Sequence, residues 1–419
     1  MPSGSSSVRR SGEGAQTDAR AEPVRPECGV AARHLSRPVA VGIALFLAAC
    51  VLPRYGLGAR ALDTSLFRLW SDRMLDGRIP YRDFSLEYPP GALPAFAIPG
   101  LLPGDYGFWF KAFQALCGAV TVGAVVYAAD ALGLRGTRLW LAVGFAALAP
   151  LALGPLVLIR FDLWPTALAA VGLAAVLRGR NGLGFGALAI GTAAKLFPFV
   201  LVPLGLLYVL RHEGPSAARR ALVWFVAVLT LVVLPFALLG PGGLRFSVAQ
   251  QSGRALQIES VGSALLLAAH ELGSYSPHAA FASGSWNLTG GLPHAVGSIQ
   301  TLVQLLAVVA TWVAFARSRR TPAQLALAAA AAVAAFAVLG RVLSPQYLLW
   351  LVPLVALLAP RLRAAGALLV AAMLLTRAIY PARYDALVAF ETTPIWLLVA
   401  RDALLVALAT QIGIASRRK

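Results

Sequence analysis

Carboxylates and cations gather in a few short stretches of an otherwise apolar chain, and those stretches hold the residue types that group transfer needs. From Leu62 to Pro94 the sequence reads LDTSLFRLWSDRMLDGRIPYRDFSLEYPPGALP; Asp63, Asp72, Asp76, Asp83 and Glu87 lie inside it and Asp105 closes it, six of the eighteen carboxylates in the protein. Asp63 follows the first apolar run at an expected membrane interface. A partly desolvated carboxylate there can take the proton of a substrate hydroxyl. The same position, ahead of a helix-compatible run, also suits an N-cap, and the two roles are compatible. Asp72 and Asp76, one turn apart around Arg73, read as a solvated helix face. Asp83 and Glu87 flank Phe84-Ser85-Leu86 just before Tyr88-Pro89-Pro90-Gly91, where the prolines forbid helix and hold Tyr88 extended. Two readings stand for this segment: a sugar platform, with aromatic faces on pyranose rings and carboxylates on hydroxyls, or a tight turn returning the chain to the membrane.

The candidate cations are few. Lys195, in Gly191-Thr192-Ala193-Ala194-Lys195-Leu196-Phe197-Pro198, lies in an apolar run, so it either faces a cavity, where it suits a lipid phosphate, or snorkels to the interface. Arg160 and Asp162 form an intraloop ion pair, or Arg160 faces a phosphate. Arg254 and Glu259 read as part of an outer amphipathic helix over residues 250–260, with Arg254 a donor-site candidate. Arg341, ahead of the proline-broken Ser344-Pro345-Gln346-Tyr347, either binds an anion or serves topology. The histidines (His34, His212, His270, His278, His294) show no HExxH or HxxxH spacing, so no metal site is expected, although His278 or His294 can approach a phosphate. Cys28, Cys50 and Cys117 give no disulfide framework.

The elements that must position these groups are membrane helices. The 419 residues are 58% apolar and 13% charged, against about 25% charged in soluble domains. The apolar runs approach the roughly 20 residues that a bilayer core demands, and none shows the ten-residue alternation of a β-barrel. The predicted fold is all-α and polytopic, with about 12 spans near 38–56, 106–130, 138–155, 163–178, 183–196, 198–210, 220–240, 295–316, 322–340, 346–360, 364–380 and 393–414. The short runs 183–196 and 198–210 read as a broken pair meeting at Phe197-Pro198, covered by neighbouring helices. Residues 1–36 read as a disordered cytoplasmic tail and 37–416 as a single integral membrane domain.

The net charge of +18 does not point to nucleic acid, because the arginines sit at the ends of apolar runs. Arg135/Arg138, Arg178/Arg180, Arg211/Arg219/Arg220, Arg317/Arg319/Arg320 and Arg361/Arg363 fall on alternate connections. The positive-inside rule then puts both termini in the cytoplasm, in a multi-pass protein of the inner (cytoplasmic) membrane. The long connections 57–105 and 241–294, and the shorter 156–162, 341–346 and 381–392, face outward, and function is expected there. Thirty-three of the thirty-six basic residues are Arg, which with the abundant Ala and Gly suggests a GC-rich bacterial genome. No phosphate-binding glycine loop and no Asp-x-Asp pair appear, which argues against a nucleotide-driven enzyme.

Asp63, Tyr81-x-Asp83 leading to Glu87-Tyr88-Pro89-Pro90-Gly91, Ala194-Lys195-x-Phe197-Pro198 and Ser344-Pro345-Gln346-Tyr347-Leu348-Leu349-Trp350 occur in that order. Together they resemble glycosyltransferase family 87, the polyprenyl-phosphate-mannose-dependent α-mannosyltransferases of actinobacteria, over residues 38 to 414. The resemblance implies a GT-C fold with outer-face loops and amphipathic helices. It implies a metal-independent, inverting transfer of a hexose, mannose in that family, from a polyprenyl-phosphate sugar to a glycolipid or cell-envelope glycan. The base role of the first outer loop's acid maps onto Asp63. Asp83, Glu87, Tyr88, Arg160, Lys195, Arg254 and Arg341 are then the substrate-binding candidates. The partners implied are the lipid-linked donor, which is a co-substrate and no cofactor, the acceptor and membrane lipids. The segment Arg82 to Glu87 is more acidic than the lipomannan enzymes lead one to expect, which leaves room for another acceptor or sugar. A lipid or sugar transporter would show an internal repeat and a midplane charge site, and no repeat is found. A non-catalytic partner subunit would tolerate substitution of every loop carboxylate.

Overall fold

The computed structural model describes residues 28–52 and 62–417, the side chains of 28–33, 62–63 and 252 excepted. The expected tail therefore lies outside the described residues as far as residue 27, and Asp63 is described by its backbone alone. Residues 28–36 are helical: α1 (Cys28–Val51) starts ahead of the expected span and runs through Pro38. The first loop holds α2 (Leu62–Leu75) and α3 (Leu93–Gly100). Then come α4 (Tyr106–Ala131), α5 (Gly136–Leu153), the single turn α6 (Leu156–Ile159), α7 (Leu163–Leu177), α8 (Asn181–Ala194), α9 (Val202–Glu213) and α10 (Pro215–Leu239). The second long loop builds α11 (Pro241–Ser252), β1 (Leu256–Gln257), α12 (Val261–Glu271), β2 (Ala279–Ala282) and β3 (Ser285–Leu288). The chain closes with α13 (Gly291–Ala316), α14 (Pro322–Val338), α15 (Leu348–Leu358), α16 (Arg363–Ile379), the short α17 (Tyr384–Val388) and α18 (Thr392–Arg417).

Each of the twelve expected apolar stretches falls on a helix over its described residues; 53–56 of the first stretch lie outside them. Among the described residues six of these, α1, α4, α5, α10, α13 and α18, are long and apolar enough to cross a membrane alone. The protein is a multi-pass helical membrane protein. Its centre is α15, buried at every position, and the alanine-rich α14. Small side chains let backbones approach closely where no hydrophobic effect drives helices together. The periphery is apolar and open: Trp224, Leu231 and Leu238 of α10, and Ile299, Leu302 and Leu306 of α13, face outward, as lipid-facing helices must.

The helices alternate between two faces. At one, Asp130 at the end of α4 binds Arg135 at 2.8 Å, Arg178 at 2.5 Å and His34 at 3.0 Å. At the other, the two long loops and the turns before α7, α15 and α18 meet. The break between α8 and α9 is observed: Lys195 is extended (φ −159°, ψ 139°) and residues Phe197–Leu201 form a 3-10 turn. Pro198 has no N–H to donate and keeps the preceding residue from continuing the helix.

Two features of the loop face differ from the sequence reading. The segment 250–260 is not one amphipathic helix. Helix α11 ends at Ser252, and Leu256 and Gln257 pair instead with Leu288 and Asn287 of β3. This completes a three-stranded antiparallel sheet in the order β1-β3-β2. Its hairpin turns at Ser283 and Gly284, both at positive φ (50° and 69°), as a two-residue turn matching strand twist requires. In the first loop, Pro90–Ala92 is a 3-10 turn leading straight into α3, which the proline-rich spelling had hidden.

Candidate active site

The site is built around the helix break. Because α8 stops at Ala194, the Lys195 side chain leaves the helix sideways and enters the layer between α7 and α15. Its Nζ donates to Asp162 Oδ1 at 2.7 Å. Asp162 is 1% exposed and immediately precedes α7, where the helix N-terminus favours a carboxylate. The Trp350 indole N–H donates to the same oxygen at 2.8 Å. Three rings surround the ammonium, with Phe161, Tyr347 and Trp350 centroids at 5.0, 4.9 and 5.1 Å, within cation–π range. Trp350 is itself clamped between Phe197 (4.3 Å) and Tyr347 (3.8 Å). Lys195 is thus charge-balanced by a residue thirty-three positions earlier.

Arg160-Phe161-Asp162 supplies three directions from three consecutive residues. Arg160 is extended (φ −110°, ψ 149°), and its Nη2 donates to the Tyr380 hydroxyl at 2.9 Å. Phe161 meets Tyr88 edge-on at 4.7 Å and Phe67 at 6.1 Å. Asp162 holds Lys195. Phe67 belongs to α2 and stacks on Phe96 of α3 at 4.6 Å. Asp63 is four residues before Phe67, so its backbone position lies on the same face of α2, one turn nearer the helix start. Leu62 is already helical, so Asp63 lies within α2 and not ahead of it.

The Tyr88 loop is held from both sides. The Tyr81 hydroxyl donates to the Tyr88 carbonyl at 2.6 Å, and the Trp164 indole donates to the Gly91 carbonyl at 2.9 Å. Only glycine fits at 91: an added Cβ would stand 2.5 Å from the backbone of Ala193 and Ala194. The loop therefore lies directly on the end of α8 beside Lys195. Burial, and then the negative charge of Asp162, push the Tyr88 phenol up, so it stays a neutral donor. The Glu87 carbonyl accepts from Ser247 at 3.0 Å and Gln251 at 3.1 Å, which ties the first loop to α11. A Cβ on Gly284 would be 3.6 Å from Glu87 Oε2, so that carboxylate lies against the hairpin turn. Asp83 stands apart: it accepts from Arg82 at 2.8 and 3.0 Å and from the Ile79 N–H at 2.7 Å. The Arg82 hydrogen bond, with help from that N–H, lowers its carboxyl to about 2.

The second loop supplies the opposite wall. Arg254 donates to the Ser283 carbonyl at 3.0 Å and to Ser285 Oγ at 2.8 Å, while among the described residues its buried Nε has no hydrogen-bond partner. Arg341 donates to Thr301 at 2.7 Å and to the Arg254 carbonyl at 3.2 Å; it holds Arg254 in place. Glu259 is 2% exposed, and burial raises its carboxyl to about 7 against the opposing pull of Arg401 and Arg160. It accepts from Gln257 at 3.3 Å, and Gln257 accepts from Ser344 at 3.3 Å. Arg401 of α18, fully buried, donates to the Glu259 carbonyl and, at 2.7 Å, to Asp402. Sequence reasoning passed over Arg401 and Asp402, although adjacent opposite charges inside an apolar run were a signal.

The layer thus joins Tyr88, Glu87, Arg160, Lys195 and Arg254 of the expected set, holds Arg341 one contact behind, and leaves Asp83 in its own turn. Among the described residues no hydrogen bond or ion pair joins His278 or His294 to these groups: the His278 carbonyl accepts from Thr289, and that of His294 from Ser298. Among the described residues no three or more His, Cys, Asp and Glu side chains form a metal-binding cluster. Chemically, the arrangement offers cations for an anionic leaving group, carboxylates for hydroxyls and aromatic faces for a ring.

This architecture, loops closing over a charged layer at one end of a helical bundle, is that of a polytopic GT-C glycosyltransferase. Two crystal structures of ArnT from Cupriavidus metallidurans share the fold, each with a TM-score of 0.50. The one bound to undecaprenyl phosphate is 18% identical over 92% of this chain and 78% of its own; the apo form is 16% identical over 93% and 77%. No curated protein sequence matches the chain. The model of glycosyltransferase family 87 matches residues 86–345, and the chain belongs to that family. The matched region contains Glu87, Tyr88, Arg160, Asp162, Lys195, Arg254, Glu259 and Arg341; Asp63 precedes it.

Proposed function

We propose that the protein transfers a hexose, taken as mannose, from a polyprenyl-phosphate donor to a glycolipid or cell-envelope glycan acceptor. The reaction takes place on the outer face of the cytoplasmic membrane, and both termini are cytoplasmic. The observation that carries this reading is the convergence of Lys195, Arg160 and Arg254 with carboxylates and Tyr88 in one layer at the helix break. Membership of family 87 supports the reaction class, and the ArnT structure bound to undecaprenyl phosphate supports the donor class.

Asp63 takes the proton of the acceptor hydroxyl as that oxygen attacks the anomeric carbon. The bond from that carbon to the phosphate oxygen breaks, and the lipid phosphate leaves carrying the electron pair. The configuration inverts because attack and departure are in line. Lys195 has three N–H donors; one is on Asp162 and the others can reach phosphate oxygens. The Arg254 Nε–H is a second preorganised donor. Arg341 keeps it aimed. Tyr88 and Glu87 bind sugar hydroxyls, while Asp83 sets the loop's turn. The lipid-linked sugar is a co-substrate, and the reading invokes no further cofactor.

The test is transfer by purified protein in lipid, using radiolabelled polyprenyl-phosphate mannose and a glycolipid extract from the native membrane. Label should move into glycolipid. Label moving only from another polyprenyl-phosphate sugar would correct the sugar, and none from any such donor would overturn the reading.

A further inference from the structure

Away from the loops, α5 and α16 run parallel. A Cβ on Gly366 would lie 3.4 Å from the Phe145 ring; further along, Arg377 donates to the Leu151 carbonyl at 3.0 Å. Between these helices and the end of α15 opens a groove of about 590 Å³, lined by Leu141, Phe145, Ala367, Val370 and Leu374, with Arg363 the only charged side chain on its wall. Leu141 and Leu374 are 48% and 50% exposed, so the groove is open along its side.

Arg138, one turn before Leu141 at the start of α5, lies toward the end of the groove where Arg363 opens α16. Trp140, 38% exposed, stands at the same level, a position typical of the membrane interface. Among the described residues the guanidiniums of Arg138 and Arg363 have no hydrogen-bond or ion-pair partner, while Arg135 and Arg178 at the same face are both bound to Asp130. An apolar groove that opens sideways and ends in uncompensated arginines matches a chain with an anionic head. Basic pockets between membrane helices take anionic lipid headgroups.

We propose that this groove binds one anionic phospholipid, with an acyl chain along Leu141, Phe145 and Val370 and its phosphate on Arg363 and Arg138. The site lies on the face opposite the catalytic layer and shares no residue with it.

Purified protein is titrated with phosphatidylglycerol and with phosphatidylcholine of the same chains, and bound lipid is counted by native mass spectrometry. Wild type should hold one phosphatidylglycerol in preference to phosphatidylcholine. R363Q and R138Q should each weaken phosphatidylglycerol roughly fivefold and bring it toward phosphatidylcholine. A367L, which fills the groove without touching charge, should weaken both lipids. Thermal unfolding like that of wild type shows that each variant is folded. Unchanged phosphatidylglycerol retention in R363Q/R138Q overturns the proposal. So does displacement of the lipid by a lower concentration of polyprenyl phosphate, which would reassign the groove to substrate. A dimer that survives R363Q but dissociates in A367L would overturn it too, by giving the groove to a second copy.

Discussion

Replacing Lys195 by Met removes the ammonium while keeping a side chain of similar length between Phe161, Tyr347 and Trp350. At the observed 2.7 Å, the gross attraction to Asp162 is roughly 6 kcal/mol at an effective dielectric of about 20. Much of that is offset by the cost of taking both charges out of water. What the substitution exposes is the residual: a carboxylate 1% exposed, left without its counter-charge, which typically costs about 3–5 kcal/mol. The Trp350 hydrogen bond to the same oxygen survives, so K195M is expected near the lower end, about 3 kcal/mol. D162N/K195M removes both charges of this pair and should recover at least half of that loss. The assay is equilibrium unfolding in mixed micelles of wild type, K195M, D162N and the double variant. A K195M protein as stable as wild type, with additive effects in the double variant, would refute the pairing and leave Lys195 as an unbalanced phosphate ligand.

Glu259 predicts a pH dependence. Its carboxyl is raised by burial from 4.5 to about 7, so the folded state keeps a proton that the unfolded chain has already released. Stability therefore falls as pH climbs from about 4.5 to about 7 and levels off beyond. E259Q stays neutral, and the stability of wild type relative to E259Q should decline by about 3 kcal/mol over that window, measured by unfolding at a series of pH values. Gly91→Ala places a methyl 2.5 Å from the backbone of α8, which should cost about 1–3 kcal/mol and lower transfer by displacing Tyr88; a protein of wild-type stability and rate would contradict that packing. Arg401→Leu strands Asp402 and removes the donor to the Glu259 carbonyl. A loss of about 3–5 kcal/mol in the same unfolding assay is expected, whereas Arg401→Leu/Asp402→Leu should be markedly milder.

The positions of the helices were legible because apolar runs between arginine-rich turns leave little choice, and Pro198 marked the broken pair. The convergence of Tyr88, Arg160, Lys195 and Arg254 was legible as a set of charges and aromatics confined to loops on one side. Their pairing was not. Asp162 and Lys195 are separated by a helical hairpin, and nothing local tells which of Arg160 or Lys195 the carboxylate faces. The sheet escaped because its strands are four residues or fewer, too short for alternation to register, although Ser283-Gly284 was a hairpin signal. Asp83 was read as a ligand from its neighbours' identity; its geometry is decided by Arg82, one residue away. The Glu259–Arg401 contact joins residues 142 apart in sequence, and only tertiary packing could bring them together.

The most direct test of the account compares donor binding with turnover in wild type and Asp63→Asn. If Asp63 is the general base, the variant binds polyprenyl-phosphate mannose within about twofold of wild type yet transfers it about 10²–10⁴ times more slowly. Transfer by Asp63→Asn at the wild-type rate would contradict the account and move the base to another carboxylate of the layer.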